Sequence, residues 1–248
     1  MVEIDLDALA AGYQHRPTTP AAMARAAAAA DAASLRPGSF ALDVGGGRGF
    51  HAGVFAARGA KALVVDRSSA IARATNAAMG VTAVVGDSRC LPIGDETCDL
   101  VYFHLSIHYG DWLEAMAEAW RVCKPGGRIW VWTFHPEHHR NSFIARWFPS
   151  VAAIDEARFP EPEAIGSRLA DLGCGGVEIV DTPERVERTV ADWREAVEGG
   201  FISTLQMLPP GEIELGLRRF DEAHPDSGET LCYVLLFRSV SAVRPSLR

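Results

Sequence analysis

The 248 residues carry 24 Lys and Arg against 32 Asp and Glu, a formal net charge of −8 with 48% hydrophobic content. That is a chain with ample material for a buried core and without the clustered basic face that a phosphate backbone demands, so nucleic acid is not the expected partner. No apolar run approaches the roughly 20 residues that span a bilayer. The opening MVEIDLDALA has acids where a secretory leader would have lysines, and five scattered cysteines form no CxxC pair. A cytoplasmic protein with reduced thiols and no metal centre is the expectation.

In chain order, the alanine-rich stretch 21–33 predicts a helix, broken by LRPGS at 35–39. Short β-branched or apolar runs then alternate with amphipathic segments: strands are expected at 40–44, 62–66, 82–87, 98–103 and 128–134, and helices near 50–58, 69–79 and 111–122. From 135 to 162 the rhythm breaks into an irregular, proline- and aromatic-rich insert that reads as a lid or binding loop. Alternation resumes with a helix near 162–172, a strand at 177–180, a second insert around 190–224 and a last strand at 230–237. The βαβα rhythm makes a Rossmann-like, doubly wound α/β sheet of about seven strands the expected architecture. One domain is expected over 1–248, with its core at about 36–135 and substrate-facing inserts at about 136–160 and 190–224.

Two elements carry the chemistry. The run ALDVGGGRGF (41–50) sets Gly45, Gly46, Gly47 and Gly49 between a strand and a helix, where the chain must turn tightly and a ligand must approach backbone amides. One register, Gly47, Gly49 and Ala52, also satisfies the dinucleotide pattern G-x-G-x-x-G/A. Asp43, two residues before the first glycine, would repel a pyrophosphate yet suits a ligand ammonium group. Asp66, which ends the second strand, can accept both hydroxyls of a ribose, and Asp87, which ends the third, can accept from an exocyclic adenine amine with Ser88 beside the ring. A cationic nucleoside without phosphates fits these acids better than a dinucleotide.

Four separated stretches, LDVGGGRG, VVDRS, VVGDSRCLPIGDETCDLVYF and RVCKPGGRIWVW, resemble in their order the class I S-adenosylmethionine-dependent methyltransferases of the small-molecule branch. The resemblance covers about residues 36–135 and extends to the rest only in outline. It implies that the Gly45–Gly49 loop holds the methionine part of S-adenosylmethionine. Asp66 would lie at the ribose, Asp87 and Ser88 at the adenine, His104 and Leu105 would wall the sulfonium, and Arg67 is a further candidate for cofactor binding. It further implies an antiparallel last strand between the fifth and sixth, and a segment GYQHRP that folds over the cofactor with Tyr13 near the sulfonium.

Methyl transfer from a sulfonium is an in-line displacement, driven largely by alignment. A base helps when the acceptor is a hydroxyl or a protonated amine, and histidine is tuned for that task. His108, just past the fourth strand, is the first candidate for base or substrate contact, although it could equally cap the next helix. His135 ends the fifth strand at the same sheet edge. The HPEHHR cluster invites a metal reading, but Pro136 breaks helical spacing and no second cluster completes a set, so hydrogen bonding or surface exposure is preferred. Trp147, Phe201 and Thr204 in the inserts are the candidate acceptor contacts, with Gly199 and Gly200 as a hinge. The expected partner is a small molecule, such as a secondary metabolite, methylated on oxygen, nitrogen or carbon by a monomer or homodimer with no membrane association. The rival readings are a nicotinamide-dependent oxidoreductase, for which no Tyr-x-x-x-Lys pair exists in the sequence, and a non-catalytic S-adenosylmethionine-binding protein.

Overall fold

Thr19 and Pro20 start the first helix for separable reasons. The Thr19 hydroxyl accepts the Ala22 amide at 3.0 Å, and proline at the first helical position gives up only an amide that would lack a partner anyway. The helix, α1 (Pro20–Ala32), opens a computed structural model that describes residues 19–79 and 81–246. Among these the chain forms two compact units. One is built from residues 19–133, 160–180 and 238–246, the other from 134–159 and 181–237.

The first unit follows the expected alternation. Strands β1 (Phe40–Val44), β2 (Lys61–Asp66), β3 (Thr82–Val85), β4 (Cys98–His104) and β5 (Cys123–Phe134) are linked by helices α2 (Phe50–Ala56), α3 (Ser69–Met79) and α4 (Trp112–Val122). With β6 (Gly175–Thr189) and β7 (Thr230–Val243) the seven strands lie in the order β3-β2-β1-β4-β5-β7-β6. β1 pairs in parallel with β2 and β4, and its Leu42 and Val44 enter a fully buried core with Val101, Phe103, Met116, Ile129 and Ile165. Long apolar strands are what a sheet covered on both faces requires.

β7 lies between β5 and β6 as the resemblance implied, and it is antiparallel to β5. The Gly126 amide donates to the Arg244 carbonyl at 2.7 Å and the His135 amide to the Leu236 carbonyl at 2.8 Å, so numbers fall along one strand as they rise along the other. The fifth strand begins five residues earlier than expected. Between the pairs Cys98–Cys123 and Leu100–Arg128 the register shifts, so Lys124–Gly127 bulges out without ending the strand. Gly126 at φ +82° makes that bulge possible.

In the second unit both inserts are helical. Helices α5 (Pro136–Asn141), α6 (Phe143–Trp147) and α7 (Ser150–Arg158) replace the irregular loop expected at 135–162, and α9 (Val190–Glu198) and α10 (Glu212–Ala223) occupy the later insert; α8 (Pro162–Asp171) belongs to the first unit. The prolines start helices here, with Pro136 at a first helical position behind a His135 cap. Trp193, Phe148 and Phe220 are fully buried in this unit's own core, and the Trp193 and Phe220 rings lie 4.2 Å apart. Gly216 is required there, because a Cβ would sit 2.5 Å from a Phe148 ring carbon and 2.8 Å from the Trp147 carbonyl. Gly199 and Gly200 stop α9, the Gly200 amide donating back to Val197 at 3.0 Å, a helix terminator where a hinge was expected.

Candidate functional site

The glycine turn is fixed from three sides. The Gly45 amide donates to the Val65 carbonyl at 2.7 Å, the Gly47 amide to Asp66 Oδ2 at 3.1 Å, and the Gly47 carbonyl accepts the Thr75 hydroxyl at 2.6 Å. Gly45, Gly47 and Gly49 have φ of +66°, +55° and +77°, values that L side chains rarely adopt. A Cβ on Gly45 would lie 2.5 Å from Ser106 Cβ, and one on Gly46 would lie 2.5 Å from Asp43 Oδ2. Gly49 caps α2 in the left-handed conformation, leaving the helix N-terminus beside the turn. The turn therefore carries no side chains but that of Arg48, and at Gly45 and Gly46 it has no room for them.

Asp43 sits under Gly46, fully buried, and among the described residues neither carboxylate oxygen has a donor in hydrogen-bonding geometry. Burial pushes its acid up to about 7; the Ala52 amide opposes the rise and the charge of Asp66 adds to it. Asp66 is buried at the end of β2, and its second oxygen accepts the Ser68 amide at 2.9 Å. These two acids stand at the C-terminal ends of neighbouring parallel strands, the edge where open α/β sheets receive ligands.

Asp87 follows β3 and is already engaged. Arg89 grips it through Nε at 3.0 Å and Nη2 at 2.8 Å, holding the carboxyl at about 2, and Arg67 Nε lies 3.7 Å away. Its two oxygens keep lone pairs for a further donor. Ser88 is half-exposed in the same turn.

The end of β4 brings together residues that the sequence reading singled out and others that it missed. His104 closes the strand, and Leu105 follows at φ +51° with its amide donating to the Trp132 carbonyl at 3.0 Å. The Ser106 hydroxyl then donates to the Val44 carbonyl at 2.6 Å, tying this loop to the glycine turn. His104 stacks on His51 with centroids 4.4 Å apart and receives a hydrogen bond from the buried Arg25. Tyr102, the cross-strand partner of Asp43, is fully buried, its hydroxyl has no partner, and burial drives its acid well upward. Arg25, His51, Tyr102, Ser106 and Thr75 were all missed; for Tyr102 the signal was its place in the register opposite Asp43.

His108 lies in a single 3₁₀ turn, Ile107–Tyr109, its ring 4.3 Å from that of Tyr109, and the N-cap of α4 is Asp111, not His108. Tyr13 and the rest of GYQHRP lie outside the described residues.

The remaining candidates belong to the second unit. His135 is the N-cap of α5, with Nδ1 accepting the Glu137 amide at 3.1 Å. His138 and His139 are buried, contrary to the surface exposure expected. His138 stacks on Phe134 at 4.1 Å, His139 lies 4.9 Å from Phe159, and burial lowers their pKa values to about 3 and about 4. They are neutral aromatic core residues. Trp147 is likewise buried in the core of this unit, and Thr204 is buried in a polar knot: its hydroxyl donates to Asp155 at 2.6 Å and accepts from Arg158 at 3.2 Å. Phe201 is half-buried with the Arg188 guanidinium 5.8 Å from its ring.

The sheet order β3-β2-β1-β4-β5-β7-β6, with a glycine turn after β1 and acids at or just beyond the C-terminal ends of β1, β2 and β3, gives the chain a Rossmann-like α/β fold. Residues 42–131 match the family described as a methyltransferase domain. A demethylmenaquinone methyltransferase of Thermobifida fusca is 36% identical over 114 residues, covering 43% of this chain and 47% of that protein. The chain spans less than half the length of the first curated relatives it matches. Among solved structures, YcgJ of Bacillus subtilis superposes with a TM-score of 0.64 at 17% identity, covering 90% of this chain and 98% of that one. Geranyl diphosphate C-methyltransferase of Streptomyces coelicolor A3(2) gives 0.57 at 21% identity, covering 89% and 78%. At these identities the structural likeness establishes the fold.

Proposed function

We propose that the chain is an S-adenosylmethionine-dependent methyltransferase acting on a small-molecule acceptor. The observation that carries this is the pair of buried carboxylates at the glycine turn, one of them, Asp43, with both oxygens unpartnered. A buried acid without donors is costly unless a ligand supplies them. An α-ammonium group is a natural partner, whereas a pyrophosphate would meet two negative charges at close range. The residues therefore fit an adenosylmethionine better than a dinucleotide.

Bound at this turn, S-adenosylmethionine supplies a methyl group activated on a sulfonium. The chain's own residues do the rest. The Gly45–Gly49 backbone receives the methionine part along a turn whose only side chain is that of Arg48, with Asp43 beneath for the ammonium. Asp66, already oriented by the Gly47 and Ser68 amides, accepts from the ribose, with Arg67 alongside. Asp87 and Ser88 accept from the adenine amine and line the ring. His104 and Leu105 wall the reacting centre, where alignment supplies most of the rate. His108 is the proposed proton acceptor should the nucleophile carry a proton; His135, whose Nδ1 caps a helix, keeps only Nε2 for such a role, and Tyr13 is proposed to contact the sulfonium. Phe201 is the proposed acceptor contact in the inserts, since Trp147 and Thr204 are occupied by packing and hydrogen bonding. Among the described residues no helix is long and apolar enough to cross a membrane, in keeping with a proposed cytoplasmic location.

The test is calorimetric titration with S-adenosylmethionine, S-adenosylhomocysteine and NADH in parallel. Micromolar binding of the adenosyl pair without NADH supports the reading. Binding of NADH alone overturns it and restores the Gly47, Gly49, Ala52 register.

A further inference from the structure

We propose that Arg89 is a positioning residue for the purine of the cofactor: it fills all but one of the acceptor positions on Asp87, so that the carboxylate offers a single lone pair, on Oδ2, to the 6-amino group of the ring. The inference rests on the adenosyl reading of the glycine turn and on Asp87 as its adenine contact.

The pairing is built into one turn. Asp87 stands two residues past the end of β3, and the Cys90 amide closes the turn by donating to the Asp87 carbonyl at 3.0 Å. Within it Arg89 brings three donors to one carboxylate. Its amide reaches Oδ1 at 2.9 Å, its Nε–H reaches the same oxygen at 3.0 Å, and its Nη2–H reaches Oδ2 at 2.8 Å. A planar guanidinium matches a carboxylate in this two-point way, and a lysine ammonium does not. The Arg89 stem lies against Gly110, where a Cβ would touch Cδ at 3.6 Å and Cγ at 3.9 Å, so the loop after β4 supports the arm.

Arg67, the first residue after β2, donates to the Tyr109 carbonyl at 3.4 Å and holds its Nε 3.7 Å from Asp87 Oδ2. At that distance it adds positive charge beside the oxygen without taking a lone pair. Among the described residues no other donor meets the Asp87 carboxylate.

A carboxylate has about four acceptor positions, shared equally by its oxygens. Both positions on Oδ1 are taken by Arg89, one on Oδ2 is taken by Nη2, and one on Oδ2 is left. Two guanidinium groups that keep their protons stand against the carboxylate, so it stays ionised and can only accept. The ligand atom that meets it must therefore carry a proton. The exocyclic amine of adenine does, whereas a purine with hydrogen at that carbon leaves the lone pair unmet. With side chains 29% and 43% exposed, Asp87 and Arg89 form an ion pair too open to add much stability. What Arg89 supplies is direction, because an acid on the rim of the sheet is held with one lone pair to present.

Calorimetric titration of the full chain compares S-adenosylhomocysteine with its 6-deamino analogue, and the readout is the ratio of the two dissociation constants. A general loosening of the fold weakens both ligands alike and leaves that ratio unchanged; the presentation of Oδ2 moves it. Wild type is expected to prefer the adenosyl ligand by about tenfold or more, the effect of one hydrogen bond to a charged acceptor. Asp87→Ala should bring the ratio close to unity, and Arg89→Met should lower it toward the same level with thermal unfolding unchanged. Arg89→Lys, which keeps the charge but not the two-point contact, should lower it as well, and it decides alone if Arg89→Met does not fold. A wild-type ratio in either arginine variant, beside a collapsed ratio in Asp87→Ala, overturns the positioning role and leaves Asp87 as the adenine contact. A ratio near unity in wild type, or one that survives in Asp87→Ala, overturns the proposal together with that contact. Failure of wild type to bind S-adenosylhomocysteine overturns the adenosyl reading itself, and the inference with it.

Discussion

Replacing Asp43 by asparagine should stabilise the ligand-free protein, and more so at high pH. The carboxyl holds its proton to about 7 in the folded chain against an ordinary value of 3.8. The sign is that of a raised acid: the native state keeps a proton that the unfolded chain has lost, so stability falls as pH climbs from 3.8 to about 7 and is flat above. Each pH unit is worth about 1.36 kcal/mol, so wild type loses about 3 kcal/mol between pH 5 and pH 8 through this group. The asparagine side chain has the same shape and no titration. It carries a pH-independent cost for its own buried amide, on the order of 1–3 kcal/mol.

The useful quantity is therefore a difference of differences. Urea unfolding of wild type and Asp43→Asn at pH 5 and pH 8 should show the variant gaining about 3 kcal/mol on wild type between the two. Saturating S-adenosylhomocysteine, whose ammonium would face Asp43, should shrink the gain, because the ligand lowers the carboxyl in wild type and offers nothing to the amide. Equal differences at both pH values would mean that Asp43 is solvated or paired throughout, and the argument from its burial would fail.

Asp66→Asn should weaken S-adenosylhomocysteine binding at least tenfold by calorimetry while costing only about 1–2 kcal/mol of stability, since one amide bond to the glycine turn is impaired. Gly45→Ala meets both a left-handed φ and the Ser106 side chain, whereas Gly47→Ala meets only the φ, so thermal unfolding should rank Gly45→Ala as the more damaging by on the order of 1 kcal/mol or more. Phe220→Ala, at a fully buried ring in the second unit, should cost about 3–5 kcal/mol in denaturant unfolding. His138, lowered to about 3 from 6.5, contributes stability above pH 6.5 that is lost as pH falls toward 3, because the unfolded chain binds the proton first; His138→Phe should flatten acid unfolding in that window, read by circular dichroism.

The first unit is legible in the sequence because each of its elements is decided locally. β1 spans 40–44 and α3 69–79 as read from the chain, since an apolar run ended by a glycine turn and an amphipathic segment have few other solutions. The fifth strand reads short because KPGG looks like a stop, and only pairing with β4 shows that the chain bulges and continues. The inserts read as irregular because proline counts locally as a breaker; at Pro136 and Pro162 it occupies a first helical position, where it breaks nothing. β6 and β7 run far past their apolar cores, to 15 and 14 residues, because mutual pairing carries polar sequence such as Glu184–Thr189 that has no strand signal of its own.

What escapes the sequence is tertiary. Arg25 in an alanine helix reads as a solvent-facing charge, and His51 reads as the second residue of a helix; only the fold hydrogen-bonds the one to His104 and lays the other against its ring. Their burial is costly for the same reason as that of Asp43. The buried Asp43 carboxylate and the Tyr102 phenol, neither with a hydrogen-bond partner among the described residues, oppose stability, and they are paired across β1 and β4 toward the C-terminal ends of those strands. An apolar replacement at each would pack as well and cost less. Such cost gathered on one sheet edge, in a unit whose remaining core is close-packed and apolar, is what a binding site whose partners arrive with a ligand would show, and under the proposed function the ligand brings a positive charge to Asp43 to relieve it.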